Sequence, residues 1–364
     1  MSAMNSEIKI VAPQPQSEAE KPRKSPPMRP GSGKTRNRIQ LAIFILTVAL
    51  GLQFSIYVFQ ALHHDTVTVQ RPPGVEGFLP IGALMGWKLF AVTGTWDPVH
   101  PAAMVILGFA GLISLLLRKS FCGWFCPVGT LSEWLWKLGQ KLFGRNFKLP
   151  PWLDYPLRSL KYLLLGFFVW VIFSMNADDI HAFLQGSYYK VSDVKMLYFF
   201  TRMTAFSAAV LLFLTVVSLP VKNFWCRYLC PYGALMGLLA FSGPTRIQRD
   251  PQKCIDCGGC SRICPAHLPV DRKHRVHSPE CIGCMDCTEV CPVKETLQLK
   301  TAGFGKKAWS ALSLGAVIIV LFAGLVYTAR ITGHWQTRIP ENEFRLILRQ
   351  IDSPDVTHPR TLVK

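Results

Sequence analysis

All 12 cysteines of the 364-residue chain fall in four short motifs. Residues 254–265 and 281–292 repeat the spacing C-x2-C-x2-C-x3-C-P. Three closely spaced thiolates on a tight loop can hold three irons of a cubane, while the fourth iron takes a thiolate from further along the chain. The two runs therefore predict two 4Fe–4S clusters. Zinc rarely uses eight thiolates in such a repeat, so zinc is the weaker alternative.

The fourth cysteine of each run is expected to ligate the cluster of the other run, as in bacterial two-cluster ferredoxins. The predicted ligands are Cys254, Cys257, Cys260 and Cys291 for the first cluster, and Cys281, Cys284, Cys287 and Cys264 for the second. Gly258, Gly259 and Gly283 allow the backbone to turn closely around the sulfurs. Pro265 and Pro292 fix the direction of the chain after each crossing ligand.

The other four cysteines form a second repeat, in which each C-x3-C-P motif follows an apolar run. They are Cys122 and Cys126 in the first copy, and Cys226 and Cys230 in the second. Cysteines four residues apart lie on one face of a helix, so two copies supply four thiolates. These thiolates could ligate a third cluster or another metal. The alternatives are packing between helices and a dithiol that exchanges with a disulfide.

The composition places these motifs in a membrane protein. Half of the residues are hydrophobic and 17% are charged, against about 25% charged in soluble domains. A spanning helix needs about 20 mainly apolar residues. Five such spans are predicted at residues 39–62, 100–117, 160–175, 205–221 and 308–327. The run at 78–96 is broken by glycine and proline, which favours an interfacial or re-entrant segment.

The distribution of Lys and Arg predicts the orientation. With five spans, 29 of the 40 Lys and Arg residues fall in the loops on the side of the N-terminus. Such an excess marks the cytoplasmic side. We therefore expect a multi-pass protein of the bacterial inner membrane, with its N-terminus and clusters in the cytoplasm. Thiols stay reduced there, which argues against disulfides. The net charge of +18 is attributed to membrane topology, and no nucleic-acid partner is expected.

The predicted fold is an all-α polytopic membrane protein of about five spans, with a small α+β two-cluster ferredoxin-like domain inserted before the last span. The segments are a disordered cytoplasmic tail at 1–38, a membrane domain at 39–244, the cluster domain at 245–305, the last span at 306–328 and an outer tail at 329–364. Residues 131–143 show apolar and charged side chains on opposite helix faces, which favours a helix in the headgroup layer.

Histidines provide candidates for proton transfer. His63, His64, His100 and His181 fall in predicted outer loops or at span ends. His100 enters a span and is the preferred candidate for contact with quinol, since imidazole accepts a proton near neutral pH. The chain has no C-x-x-C-H motif, which excludes covalent haem. The cluster region also has a basic loop that could dock an acidic redox partner. That loop contains His267, Arg272, Lys273, His274, Arg275 and His277.

The combination of two C-x3-C-P motifs after apolar runs, a two-cluster run and a final span resembles the membrane polyferredoxins. This family includes NapH-type quinol dehydrogenase subunits, NosR-type proteins and CcoG-type proteins. The similarity covers about residues 38–327. The chain departs from NosR-type proteins in lacking room for a large flavin domain before the first span. It departs from CcoG-type proteins in lacking room for an immunoglobulin-like domain after the last one.

The resemblance implies electron transfer at the inner membrane, from quinol to a protein not identified by the sequence. The favoured hypothesis is an iron–sulfur relay, with membrane lipid, quinol and a redox partner protein as its partners. An accessory or regulatory factor for metal-centre assembly or redox sensing is the alternative. A structural membrane scaffold is a third hypothesis.

Overall fold

The computed structural model describes residues 33–303 and 308–356. The α-helices in this part of the chain are α1 (Lys34–His63), α2 (Pro80–Thr93), α3 (Pro101–Leu117), α4 (Pro127–Phe143), α5 (Pro151–Ser174), α6 (Ala177–Gln185), α7 (Ser187–Lys190), α8 (Ser192–Thr201), α9 (Ala205–Ser218), α10 (Pro231–Ser242), α11 (Gly259–Ile263), α12 (Asp286–Val290), α13 (Ala311–Ile331) and α14 (Glu341–Arg349). The strands are β1 (Thr245–Arg249), β2 (Leu297–Thr301) and β3 (Ala308–Trp309). The architecture is thus mainly helical with one small sheet.

Three helices of the described chain are long and apolar enough to cross a membrane, namely α1, α5 and α13. They contain most of the predicted spans 39–62, 160–175 and 308–327, although α13 begins at Ala311 because Ala308 and Trp309 pair with β2. Helices α8 and α9 form a fourth candidate span, bent by 78° at a short break. The described residues therefore contain three or four candidate spans, where the sequence suggested about five.

The difference arises largely at α3, which the sequence analysis counted as a span. This helix has 17 residues and is about 26 Å long at ~1.5 Å per residue. Most of its side chains are buried against other helices of the protein. A helix enclosed by protein does not need to match the thickness of the lipid, so its apolar sequence reflects the protein core.

Two shorter helices fall in segments for which the sequence suggested an interfacial position, and that position stays a prediction. The broken run at 78–96 contains α2, whose 14 residues are fewer than a span needs. Its Lys88 Nζ donates to the carbonyl oxygens of Ile172 and Phe173 at the end of α5, at 3.0 and 3.1 Å. Helix α4 leaves the apolar side chains of Leu131 and Leu142 exposed, at 46% and 64%. This exposure is what a helix lying in the headgroup layer requires.

Helix α1 begins earlier than the predicted boundary between a disordered tail and a span at residue 39. It starts at Lys34, and Arg36 within its first turn is buried. Residues 1–32 of the predicted tail lie outside the described residues. The Arg36 charge is accommodated because carboxylates of α4 and α12 face it, as described below.

The residues between α10 and α13 form a small α+β unit around an antiparallel sheet of order β1-β2-β3. In this sheet Thr245 pairs with Thr301, and Arg249 pairs with Leu297. The unit shares one hydrophobic core with the membrane helices. That core runs from Phe109 on α3 through Trp124 to Leu299 on β2. The predicted cluster domain therefore packs directly on the helices, and it does not hang from them on linkers.

Candidate iron–sulfur centres

The first cavity of the α+β unit is lined by four cysteines drawn from both long motifs. The cysteines are Cys254, Cys257, Cys260 and Cys291. The first three come from one run and the fourth comes from the other. This is the set of four that the crossed pattern predicts as the ligands of one cluster.

A second cavity shows the reciprocal arrangement. Its lining includes Cys281, Cys284, Cys287 and Cys264. Apolar side chains, among them Ile247, Leu268 and Val276, complete the wall. Eight cysteines thus divide into two sets of four, and each set contains one cysteine from the opposite run.

The local backbone explains how each run presents its thiols. Helices α11 and α12 each span five residues, carry the third cysteine of a run and end immediately before the fourth. Both helices are preceded by a residue in the left-handed region, Gly258 at φ 64° and Met285 at φ 64°. Gly283 has φ 60°, whereas Gly259 is already helical. Two of the three singled-out glycines therefore occupy left-handed positions that favour glycine.

The thiols lie in an environment that opposes their charged form. Burial raises the pKa of the Cys260 thiol to about 11, and the nearby Asp271 carboxylate raises it further. Burial also raises the pKa of Cys264. A metal that binds these sulfurs must displace their protons, so cluster insertion and folding are coupled here. The donor set fits two cubanes, because each cavity offers four thiols within a largely apolar wall.

The C-x3-C-P motifs form single π-helical turns at residues Phe121–Phe125 and Trp225–Leu229. The amide of Cys126 donates to the carbonyl oxygen of Phe121 at 2.9 Å, and Cys230 repeats this bond to Trp225 at 3.0 Å. The expectation that each pair lies on one α-helical face is therefore wrong. A π turn contains one more residue than an α-helical turn, and the second cysteine of each motif becomes the N-cap residue of the α-helix that follows. Such π turns are frequent at functional sites.

Each C-x3-C-P proline is followed two residues later by a glycine, and only Gly129 of the two has a steric explanation, since a Cβ on Gly233 would make ordinary contacts. A Cβ on Gly129 would lie 2.4 Å from the carbonyl oxygen of Cys122. On Gly233 a Cβ would lie 3.6 Å from the sulfur of Cys230 and 3.5 Å from Nζ of Lys119. The amide of Gly233 also donates to the Cys230 sulfur at 3.2 Å. Helices α4 and α10 thus begin tightly against the thiols.

The four C-x3-C-P thiols are electrostatic neighbours. Burial raises the pKa of the Cys122 thiol to about 12 against the lowering influence of Lys119, and Cys126 and Cys230 add to the rise. For Cys226 burial is again the main cause of a raised pKa, followed by its neighbours Cys230 and Cys126. The two copies of the repeat therefore meet at one place. Within residues 33–303 and 308–356, no three His, Cys, Asp or Glu side chains are arranged to hold a single metal ion.

Buried cations surround the C-x3-C-P thiols. The side chain of Lys119 is buried and forms no ion pair within the described part of the chain. Lys161 on α5 is fully buried, and its Nζ lies 2.6 and 2.7 Å from the two carboxylate oxygens of Glu280. Tyr162 donates to the same carboxylate at 3.2 Å. The ammonium groups of Lys119 and Lys161 thus have the single carboxylate of Glu280 as their neighbour, and only Lys161 contacts it. One positive charge beside the thiols is left without a bound anion.

The first π turn contacts the loop of the second cavity. Nε1 of Trp124 donates to the carbonyl oxygen of Gly283 at 3.0 Å. A Cβ on Gly123 would lie 2.5 Å from the carbonyl oxygen of Ile282. The first π turn, which contains Cys122, therefore directly contacts the loop that lines the cavity of Cys281 and Cys284.

Buried ion pairs hold this arrangement, and the sequence analysis did not identify them. Arg36 binds both oxygens of Glu133 on α4 at 2.8 and 2.7 Å, and it reaches Asp286 on α12 at 3.1 Å. Arg227 in the second π turn binds Asp154 of α5 at 3.0 and 3.1 Å and donates to the carbonyl oxygen of Ala266 at 2.7 Å. The available signal was the presence of charged residues such as Asp154 in or beside apolar runs.

His100 is fully buried in a polar network at the opposite end of α3 from the cysteines. Its Nε2 lies 2.8 Å from the carbonyl oxygen of Tyr189, and its Nδ1 lies 3.4 Å from Glu76. Glu76 accepts the amide of Ala102 at 2.9 Å, at the start of α3. Both imidazole nitrogens face protein atoms, which favours a role in positioning α3. Contact between His100 and quinol stays a prediction.

The other histidines named in the sequence analysis lie outside the polar network of His100 that the described residues form. His63, His64, His181, His274 and His277 are exposed, and His267 is half-buried. His63 stacks on Phe59, with ring centroids 4.5 Å apart. These exposed positions form no cluster with His100. In the basic loop of the α+β unit, Arg272 and Lys273 are exposed.

Comparison with known proteins agrees with the cysteine chemistry. Residues 99–148 and 203–247 match a family model described as a 4Fe-4S binding domain, and residues 246–292 match a 4Fe-4S dicluster domain. The first match contains both C-x3-C-P motifs, and the second contains all eight cysteines of the long runs. No solved structure matches the chain.

The chain is also similar to several curated proteins. It is 44% identical over 330 residues to the putative electron transport protein YccM of Escherichia coli, covering 89% of this chain and 91% of that protein. It is 28% identical to the ferredoxin-type protein NapH of Escherichia coli, over 61% of this chain and 71% of NapH. The regulatory protein NosR of Pseudomonas aeruginosa is 31% identical, over 52% of this chain and 24% of NosR.

Proposed function

The chain belongs to the NapH/NosR-like family of membrane polyferredoxins, and we propose that it relays single electrons between quinol and a redox partner protein at the bacterial inner membrane. Iron–sulfur electron transport is the general activity of this family. The observation that carries the proposal is the pair of cavities, each lined by four cysteines drawn from both runs.

Each cavity is proposed to hold one 4Fe–4S cluster, which when bound accepts and donates one electron at a time. Cys254, Cys257, Cys260 and Cys291 would hold one cluster, and Cys281, Cys284, Cys287 and Cys264 the other. The protein contributes the apolar wall, the amide of Leu268 directed at the Cys264 sulfur at 3.4 Å and the exclusion of water. These features tune the potential of such clusters.

A third centre is proposed at Cys122, Cys126, Cys226 and Cys230. Charge balance supports it, because Lys119 and Lys161 share the single carboxylate of Glu280 beside these thiols. A buried ammonium without a counter-charge is costly. Four thiolates around a metal centre carry negative charge and would supply that counter-charge. Packing by neutral thiols would leave the surplus charge of Lys119 uncompensated.

The quinol and the partner protein are the finer parts of the proposal. The amphipathic α4, with its exposed apolar side chains, lies beside the first π turn and gives the C-x3-C-P thiols a short route to the lipid phase. Arg272 and Lys273 are exposed near Asp271, which lines the first cavity, and their charge suits an acidic partner. Electrons would then pass between the membrane surface and the outer face of the α+β unit.

Two measurements on protein purified without oxygen test this function. The first is the iron content: about 12 irons per chain are expected for three cubanes and about 8 for two. Cys226→Ser should lower the content by about four irons if the third centre exists. An unchanged content of about 8 irons in the variant and in the wild type would refute the third centre while leaving the two long-run clusters intact.

The second measurement is the bleaching of the clusters by a soluble quinol in detergent. Reduction within seconds supports the relay. Failure of quinol to reduce the clusters, together with a ready response to oxygen or metal ions, would instead support the accessory or regulatory alternative. The printed name of NosR, a regulatory protein, makes that alternative worth testing.

A further inference from the structure

Three arginines meet at the end of α10, where the membrane helices join the α+β unit. Nη1 of Arg118 donates to the carbonyl oxygen of Ala240 at 2.9 Å, and Nη2 donates to Ser278. Nη2 of Arg246 donates to the carbonyl oxygens of Phe241 and Gly243, both at 3.2 Å.

Arg275 completes this group of three arginines. It is exposed and pairs through its backbone with Gln248 on β1, two residues from Arg246. Burial lowers the pKa of Arg246, and the neighbouring guanidinium groups of Arg118 and Arg275 lower it further. The three positive charges are therefore close enough to repel one another.

The arginine cluster, defined as Arg118, Arg246 and Arg275, has no acidic partner. Among the described residues, none of the three forms an ion pair with a carboxylate. Nη1 of Arg246 and Nε of Arg118 are shielded from water and have no hydrogen-bond partner in the same part of the chain. The carbonyl oxygens at the end of α10 contribute a dipole worth only about half a negative charge. Three full positive charges exceed this by far, so the cluster needs an anion.

The surroundings of the cluster favour a particular kind of anion. On one side lie exposed apolar side chains of α3 and α10, which are Leu115 at 38%, Leu116 at 40%, Leu238 at 50% and Phe241 at 43%. His277 stacks on Phe241 with ring centroids 3.9 Å apart, and its Nε2 lies 3.1 Å from the carbonyl oxygen of Phe241. The arginines thus lie where an apolar surface meets a polar one, which is the position of lipid headgroups.

We propose that the arginine cluster binds the phosphate of an anionic phospholipid whose acyl chains lie along Leu115, Leu238 and Phe241. Basic pockets beside membrane helices are suited to anionic headgroups. A free phosphate would satisfy the guanidinium groups but would leave the apolar flank uncovered, so the lipid is the favoured source of the phosphate. The proposal does not depend on electron transfer. It gives the α+β unit a lipid-mediated attachment beside the end of α10.

The test uses holoprotein purified in a mild detergent and titrated with phosphatidylglycerol or phosphatidylcholine, with bound lipid counted by native mass spectrometry. Wild-type protein should retain phosphatidylglycerol preferentially. Both arginines attract the anionic headgroup, so the double variant R246Q/R275Q should bind phosphatidylglycerol about 30-fold more weakly. The double variant R330Q/R349Q removes two exposed arginines elsewhere and should leave binding unchanged.

Because Arg246 contacts the end of α10, the variant R275Q is measured as well. Arg275 is exposed, and its loss should weaken binding about fivefold without disturbing the fold, which is checked by the visible absorbance of the clusters. Equal weakening in R330Q/R349Q would overturn the site, since the effect would then be one of net charge. Displacement of the lipid by 10 mM inorganic phosphate, or equal binding of phosphatidylcholine, would overturn the assignment to an anionic lipid.

Discussion

Nε1 of Trp124 donates a hydrogen bond to the carbonyl oxygen of Gly283 across 3.0 Å, and this bond joins the first C-x3-C-P turn to the loop between Cys281 and Cys284. The two residues lie 159 positions apart in the chain. The first π turn and the loop of the second cavity are therefore in direct contact.

Trp124→Phe should lower the thermal midpoint of cluster bleaching. The substitution leaves the Gly283 carbonyl without its partner in a buried site, at a cost of about 1–3 kcal/mol. Trp136→Phe is the matched control, because Trp136 is also buried but its Nε1 has no hydrogen-bond partner among the described residues. Equal losses in the two variants would show that side-chain volume, and not the hydrogen bond, is what matters.

Cys264→Ser should damage the cluster of Cys281, Cys284 and Cys287, although Cys264 lies in the other run. The reason is that Cys264 lines the second cavity. Cys291→Ser should damage the first cluster in the same crossed manner. Electron paramagnetic resonance of the reduced protein would distinguish the two signals. If each variant lost the signal assigned to its own run, the crossed ligation would be refuted.

Glu280→Gln should be strongly destabilising, because it leaves Lys161 buried without its counter-charge. Breaking a buried ion pair from one side costs about 3–5 kcal/mol. Glu295→Gln provides the comparison, since Glu295 pairs with Lys253 at an exposed site, where solvent screens the pair and its loss should have little effect. The thermal midpoints of both variants in detergent check this difference. A similar small shift in the two variants would contradict it.

The stability of the protein should fall as the pH drops below about 6.5, partly because of His267. Burial lowers the pKa of His267 to about 3, and the cations Lys222 and Arg227 lower it further. Its ordinary pKa of 6.5 applies to the unfolded chain. Between these values the unfolded chain binds a proton that the folded chain does not, so the contribution is complete above 6.5 and declines below it.

This pH dependence is measured as the thermal midpoint at pH 7.5 and at pH 5.5. His267→Gln should reduce the difference between the two midpoints, whereas His181→Gln, at an exposed position, serves as the control. Both nitrogens of His267 are shielded and lack a hydrogen-bond partner in the described chain. An identical difference in the wild type and in His267→Gln would show that other groups account for the acid sensitivity.

Iron removal should loosen the α+β unit while leaving the spanning helices folded. The raised pKa of Cys260 and the short helices α11 and α12 indicate that metal binding supplies much of the order here. Limited proteolysis after chelation under reducing conditions should cut within residues 250–295 first. Helix α1, whose stability derives from its own long apolar sequence, should resist cleavage.

The features of this protein that depend on spacing within one segment could be predicted from the sequence. The long cysteine runs and the apolar stretch within α1 are of this kind, because ligand spacing and span length are read within one segment. The placement of Cys122 on an α-helical face was wrong, since the extra residue of a π turn leaves no clear mark in the sequence. The apolar run of α3 suggested lipid, yet its surroundings are mainly protein.

Contacts between distant segments could not be predicted from one sequence. Arg36 lies beside the first predicted span, but its partners Glu133 and Asp286 are 97 and 250 residues away in the sequence. Lys161 lies at the edge of the apolar run 160–175, and it is buried against Glu280, 119 residues away in the sequence. Nothing local distinguishes a lysine that reaches solvent from one that meets a carboxylate of a later segment.

The separation of Arg36 and Asp286 along the sequence, 250 residues, also bears on biosynthesis. A ribosome adds roughly 5–20 residues per second, so α1 would wait on the order of ten to fifty seconds before both carboxylates that face Arg36 have been translated. The contact between Arg36 and Asp286 can form only after the second cysteine run has been translated, which makes the joining of α1 to the α+β unit a late event in synthesis.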